Sequence, residues 1–104
     1  MKANTLSRQI AKNGFEFDRA VYTVSRQVKG YGSWRPGFHV NETGTDGVVG
    51  VRWIHSGREI AIDRGTKKMP MIADAIRSMG YSVQVIPVSE HEKVIRLIVR
   101  KEQI

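Results

Sequence analysis

Four segments of this chain place apolar residues at every second position, and one places them at every third or fourth. Phe38 and Val40, then Val49, Val51 and Trp53, then Tyr81, Val83 and Val85, and finally Ile95, Leu97 and Val99 alternate along their segments. A period of two marks a strand with one buried side. Met69, Ile72, Ala73, Ile76 and Met79 instead recur with the helical period, so a helix is expected over 69–79. Pro70 suits its first turn and Gly80 its end. The turn chemistry agrees with these assignments. Glu42-Thr43-Gly44-Thr45-Asp46-Gly47 lies between the first two strands, and Asp46-Gly47 is its strongest hairpin signal. His55-Ser56-Gly57-Arg58 leads to a third short strand expected over Glu59 to Asp63. Pro87 ends the strand that begins at Tyr81, and Glu90-His91-Glu92 turns the chain into the last strand, from Val94 to Arg100.

The N-terminal part reads as a pair of helices. The first is expected over Leu6 to Asn13, with Asn4 or Thr5 as cap, Leu6 and Ile10 on one face and Gly14 at the left-handed C′ position. For the second, propensity and period disagree. Val21-Tyr22-Thr23-Val24 favours a strand. Phe17, Val21, Val24 and Val28, however, fall on one helical stripe, with Asp18 as cap and Gly30 as stop, so a helix is expected over 19–29. Gly30 to Gly37 is loop chemistry. The whole is a small single α+β domain spanning 1–104: an N-terminal helix pair, a β-hairpin or three-stranded meander, then a helix followed by a C-terminal β-hairpin.

Composition narrows the function classes. A chain of 104 residues holds one core. There is no cysteine, so disulfides and thiolate chemistry are excluded and a cytosolic location is the default. No apolar run approaches the ~20 residues of a membrane span, and Lys2, Arg8 and Lys12 break any signal-peptide core. The 17 Lys and Arg exceed the 10 Asp and Glu, for a net charge of +7. The excess is uneven: residues 1–35 carry +5, residues 36–65 carry −1 and residues 66–104 carry +3. Such an asymmetry points to a polyanionic partner, nucleic acid above all.

On the second helix, the stripe of Phe17, Val21, Val24 and Val28 would leave Arg19, Tyr22, Thr23, Arg26 and Lys29 facing outward. Those residue types bond phosphates and base edges. Together with Arg8-Gln9-Ile10-Ala11-Lys12-Asn13-Gly14, the stretch resembles the helix-turn-helix of DNA-binding proteins. Ile10 and Ala11 match the apolar and small positions of that motif's first helix, and Val21 and Val24 the buried positions of its second. The resemblance implies a helix in the major groove; with its outward face of Arg19, Thr23 and Arg26, the charge pattern then expects Arg19 and Arg26 to contribute readout and Lys12, Lys29, Lys67 and Lys68 to position the backbone. Gly65-Thr66-Lys67-Lys68, ahead of the 69–79 helix, distantly resembles the lysine pair of double-stranded-RNA-binding domains. The run from Ala73 to Val83 resembles segments of small bacteriophage accessory proteins.

Other readings rest on other residues. Tyr31, Trp34 and Arg35 in the Gly-rich loop form a candidate interaction patch for unpaired bases or for a host protein, whereas Trp53 reads as core. Glu59, Asp63 and Lys67 lie where a small metal-dependent nuclease would place its site, but their spacing fits no such motif, and His39, His55 and His91 are too far apart for metal-ligand spacing. No catalytic residue, metal or cofactor is expected. The expected function is non-enzymatic binding of duplex DNA, with a protein-interaction module as the alternative. The Val94–Arg100 strand, apolar and expected at an edge, makes a homodimer conceivable.

Overall fold

The computed structural model describes residues 2–24, 32–55, 58–59, 63–88 and 94–101. In chain order these form α1 (Ala3–Ile10), β1 (Val21–Val24), β2 (Gly32–Arg35), β3 (Gly37–Glu42), β4 (Val48–His55), β5 (Arg58–Glu59), α2 (Asp63–Ser78), β6 (Tyr81–Pro87) and β7 (Ile95–Lys101). The expected α+β class holds, as does the succession of strands, helix and C-terminal hairpin. The main sheet is antiparallel, in the order β3-β4-β7-β6, with β5 paired to the end of β4. β1 and β2 make a separate two-stranded ribbon.

One face of the main sheet is covered. Phe38 lies opposite Trp53, Val40 opposite Val51, Val49 opposite Val99 and Val51 opposite Leu97, so these side chains point the same way. Against them pack Ala3, Leu6 and Ile10 of α1 and Met69, Ile72, Ala73 and Ile76 of α2, all buried. Burying one such large side chain is worth about 1.5–3 kcal/mol. Met79 packs at the margin of this core, and the stripe expected over 69–79 is thus the one that faces the sheet. At Gly65, α2 comes so close that an added Cβ would lie 2.8 Å from the Trp53 ring.

Several boundaries differ from expectation. α1 begins earlier, at Ala3, and neither Asn4 nor Thr5 caps it. Instead the Ala3 N–H donates to Glu42 Oε1 of β3 at 2.8 Å, a carboxylate supplied from across the fold. The helix widens over Ala11–Phe15, where Asn13 and Gly14 leave helical geometry, and closes in a 3₁₀ turn over Glu16–Asp18. Gly14 takes the left-handed conformation expected of it, at φ 95°. α2 starts at Asp63 rather than 69, so Asp63 belongs to a helix and not to a strand, and Pro70 is internal. Its missing N–H costs one hydrogen bond to the preceding turn, which the buried stripe offsets. The larger correction concerns 19–29. Val21–Val24 is a strand, Arg19 and Ala20 are extended against Phe38, and 25–29 lie outside the described residues. Phe17, expected in the core, is 82% exposed, and Val21 is exposed too. The β-branched run prevailed because pairing with β2 gives it a ladder that local periodicity does not register. β7 is also not an edge: it sits between β4 and β6.

Candidate nucleic-acid interface

The ribbon follows directly from its sequence. Val21-Tyr22-Thr23-Val24 pairs with Arg35-Trp34-Ser33-Gly32, residue for residue. The Tyr22 ring lies across Gly32, where an added Cβ would collide with it, so glycine gives the aromatic ring its seat. The base of the ribbon is tied to the main sheet. The Ala20 N–H donates to Phe38 O at 2.8 Å, and Arg19 bridges to the same Phe38 in parallel. Gly37 permits this approach, since a Cβ there would collide with the Asp18 carbonyl. Two guanidinium groups complete the tie. Arg35 donates through Nε and Nη2 to Arg19 O at 3.3 and 3.2 Å. Arg19 donates through Nη2 to Ser7 O of α1 at 3.0 Å, while its buried Nε has no hydrogen-bond partner among the described residues.

These bonds assign the sequence candidates different places. Arg19 and Arg35 clamp the root of the ribbon. The backbone of Thr23 and Trp34 lies in β1 and β2, and their side chains fall outside the description. Arg26, Lys29 and Tyr31 lie outside the described residues, in the segment 25–31 that joins the two strands. Lys12 and Arg19 do meet: with Arg8, Ala11 and Glu16 they line an open depression of about 260 Å³. Arg8 and Lys12 are exposed there. Lys67 is exposed on α2, whereas Lys68 is half-buried. The Lys68 Nζ lies 3.7 Å from the buried Asp18 carboxylate and 5.9 Å from the centre of the Phe15 ring. Because α2 begins at Asp63, neither lysine stands at its first residue.

A second basic surface escaped the sequence reading. The main sheet face opposite the helices carries His39 and Asn41 of β3, Gly50 and Arg52 of β4, Arg96, Ile98 and Arg100 of β7, and Ser82, Gln84 and Ile86 of β6. No described side chain at these positions is acidic. The signal was present: alternation that identifies Val49, Val51, Leu97 and Val99 as inward also assigns Arg52, Arg96 and Arg100 to the other side. Strand pairing, which alternation does not reveal, brings those arginines together. His39 titrates below its ordinary value of 6.5, first because burial penalises the charged imidazole and second because Arg52 stands opposite.

Among the described residues no group of three or more His, Asp or Glu converges as metal ligands do. Among them also, no helix is long and apolar enough to cross a membrane. In comparisons with known proteins, no family model, no curated protein and no solved structure matches this chain.

Proposed function

We propose that this protein is a non-enzymatic nucleic-acid-binding protein that takes duplex DNA on the β1–β2 ribbon and the basic depression at its root. The observation that carries this reading is the ribbon itself: a two-stranded antiparallel element outside the main sheet, whose connecting sequence holds Arg26 and Lys29. The DNA major groove admits a two-stranded ribbon as readily as a helix. A ribbon therefore serves the groove contact that the sequence had pointed to through a helix. Tyr22 is half-exposed on the ribbon, its ring against Gly32. Arg8 and Lys12 stand at the root, where phosphates flank an inserted element. Arg19 contributes by holding the ribbon to α1 rather than by reading bases.

The test is fluorescence anisotropy on a labelled 20-base-pair duplex, a single strand and an RNA duplex, over a salt series. The double variant Arg26→Ala with Lys29→Ala is expected to weaken duplex binding about tenfold and to flatten the log-log salt slope by about 2, one unit for each lost phosphate contact. Unchanged affinity and slope would defeat the reading. A protein partner is the second reading, favoured by Phe17, whose ring is 82% exposed beside the ribbon root. That reading takes over if a protein binds stoichiometrically, Phe17→Ala abolishes the binding, and no nucleic acid shifts at low salt.

A further inference from the structure

The main sheet has two outer strands, β3 and β6, and their outer sides differ. On β3 the Ala20 N–H already donates to Phe38 O at 2.8 Å, and Arg19 bridges to the same residue. On β6 no described strand pairs with the side away from β7. The register tells which backbone groups point there. The Val88 N–H donates to Val94 O at 2.9 Å, in line with the pairing of Ile86 with Arg96, Gln84 with Ile98 and Ser82 with Arg100. Backbone groups alternate sides along a strand. Ser82, Gln84 and Ile86 therefore bond β7, and Tyr81, Val83 and Val85 turn their N–H and C=O groups outward. Pro87 falls in the same outward row, where its missing N–H costs no bond to β7.

The side chains along this edge carry no charge from Tyr81 to Val88, whereas every other strand of the main sheet holds at least one charged residue. Sheet edges are commonly blunted by lysines, inward charges or bulges. β6 has none of these: its pairing with β7 runs unbroken from Tyr81 to Pro87. Val83 and Val85 lie opposite the buried Val99 and Leu97 and so turn toward the helices. Even so, Val85 is 44% exposed, and Val88 just past the strand is exposed too.

We propose that the outer edge of β6 pairs antiparallel with β6 of a second copy, joining two main sheets into one. Two identical strands pair about a twofold axis, and full overlap of Tyr81–Pro87 puts that axis at Gln84. Val83 then stands opposite Val85 of the second copy, and Tyr81 opposite Pro87. In this register the outward N–H groups of Val83 and Val85 meet each other's carbonyls, and that of Tyr81 meets the Pro87 carbonyl. Only the outermost pair lacks a second bond, because proline has no N–H to give. The Val83 and Val85 side chains of the two copies meet on the helix side and cover the exposed rim.

Charge argues for a second copy as the occupant. A neutral edge offers nothing to a charged peptide, and it is where two chains of net +7 meet with least repulsion. The adjoining strand that bears cations is β7. With both β6 strands between them, the two β7 strands stand three strand spacings apart, about 14 Å. That exceeds the Debye length of about 8 Å at physiological ionic strength. On α2, Arg77 is paired with Asp74 at 3.2 Å. A strand pair of this length buries less than the ~1,200 Å² at which stable interfaces begin, so the association is reversible, with a Kd on the order of 10–100 µM.

The test is analytical ultracentrifugation of the full chain from about 5 to 500 µM, which brackets that Kd. The mass is expected to rise from that of one chain to that of two. Val85→Lys puts an inward charge on the edge; Val85→Pro removes an outward N–H and no bond to β7. Each should keep the chain monomeric, with unchanged far-UV circular dichroism showing that it folds. Phe17→Lys, the same charge on an exposed ring elsewhere, should leave association unaltered. Hydrogen exchange in the wild type reads the register even if a variant fails to fold. Raising the concentration should slow the Tyr81, Val83 and Val85 amides severalfold and leave Ser82, Gln84 and Ile86 unchanged. A chain that stays monomeric at the highest concentration overturns the proposal, whether those amides exchange freely or are covered throughout by a segment of the same chain. So does a dimer that survives both folded Val85 variants, that Phe17→Lys dissolves, or that protects other amides instead. None of these outcomes bears on DNA binding at the ribbon, which the Arg26/Lys29 double variant tests separately.

Discussion

Gly65 and His39 show how much a single residue decides here. The backbone at Gly65 lies against the Trp53 indole, and a methyl group there would sit 2.8 Å from ring carbon. The ring is buried and cannot swing aside. Gly65→Ala is therefore expected to destabilise the fold by about 1–3 kcal/mol, read as a lower urea midpoint at unchanged slope. For His39 the argument concerns pH. Its folded-state value is depressed below 6.5 by burial and then by Arg52. As pH falls through 6.5 the unfolded chain takes up the proton before the folded one does. Stability is thus fully present above 6.5 and declines until the folded-state value is passed. Between pH 7.5 and 5 the melting temperature of the wild type should fall more than that of His39→Gln. The reverse order would mean that the imidazole gains rather than loses from being charged in the fold.

At the scale of elements, α1 and the segment after it are the instructive cases. α1 has no capping side chain of its own, and its first amide is satisfied by Glu42 at the far end of β3. Glu42→Ala should cost about 1 kcal/mol and raise hydrogen exchange in the first turn of α1, a measurement that separates a lost cap from a damaged strand. From sequence, Glu42 was only part of a polar turn, because a cap donated across 39 positions leaves no local trace. The segment 19–24 shows the opposite failure. Its apolar spacing suited a helix and its β-branched content suited a strand; β2 was available to pair with, and the strand formed. By contrast, α2 kept the stripe read from its sequence although it began six residues early, since Met69, Ile72, Ala73 and Ile76 meet the sheet wherever the helix starts.

For the molecule as a whole, charge is the governing quantity. A net +7 on 104 residues repels itself, and here two of the arginines are held beside each other on one sheet face. Screening should therefore stabilise the fold. Raising sodium chloride from about 10 to 150 mM, which shortens the Debye length from about 30 to 8 Å, is expected to raise the melting temperature. An unchanged melting temperature over that range would mean that self-repulsion does not limit the fold.

The amino-acid sequence alone determined where the chain alternates and where it coils. β3, β4, β6, β7 and the buried stripe of α2 were legible because periodicity is local: it records which side of an element avoids water. The chain's own composition likewise determined the excess of positive charge. Only the tertiary structure decided that Val21–Val24 is a strand, that β7 is interior, that Lys68 answers Asp18, and that His39, Arg52 and Arg96 form a row. Each of these depends on which element lies alongside which. A pattern of buried and exposed positions fixes a face but not its neighbour, and it is the neighbour that sets pairing, burial of charge and the company a side chain keeps.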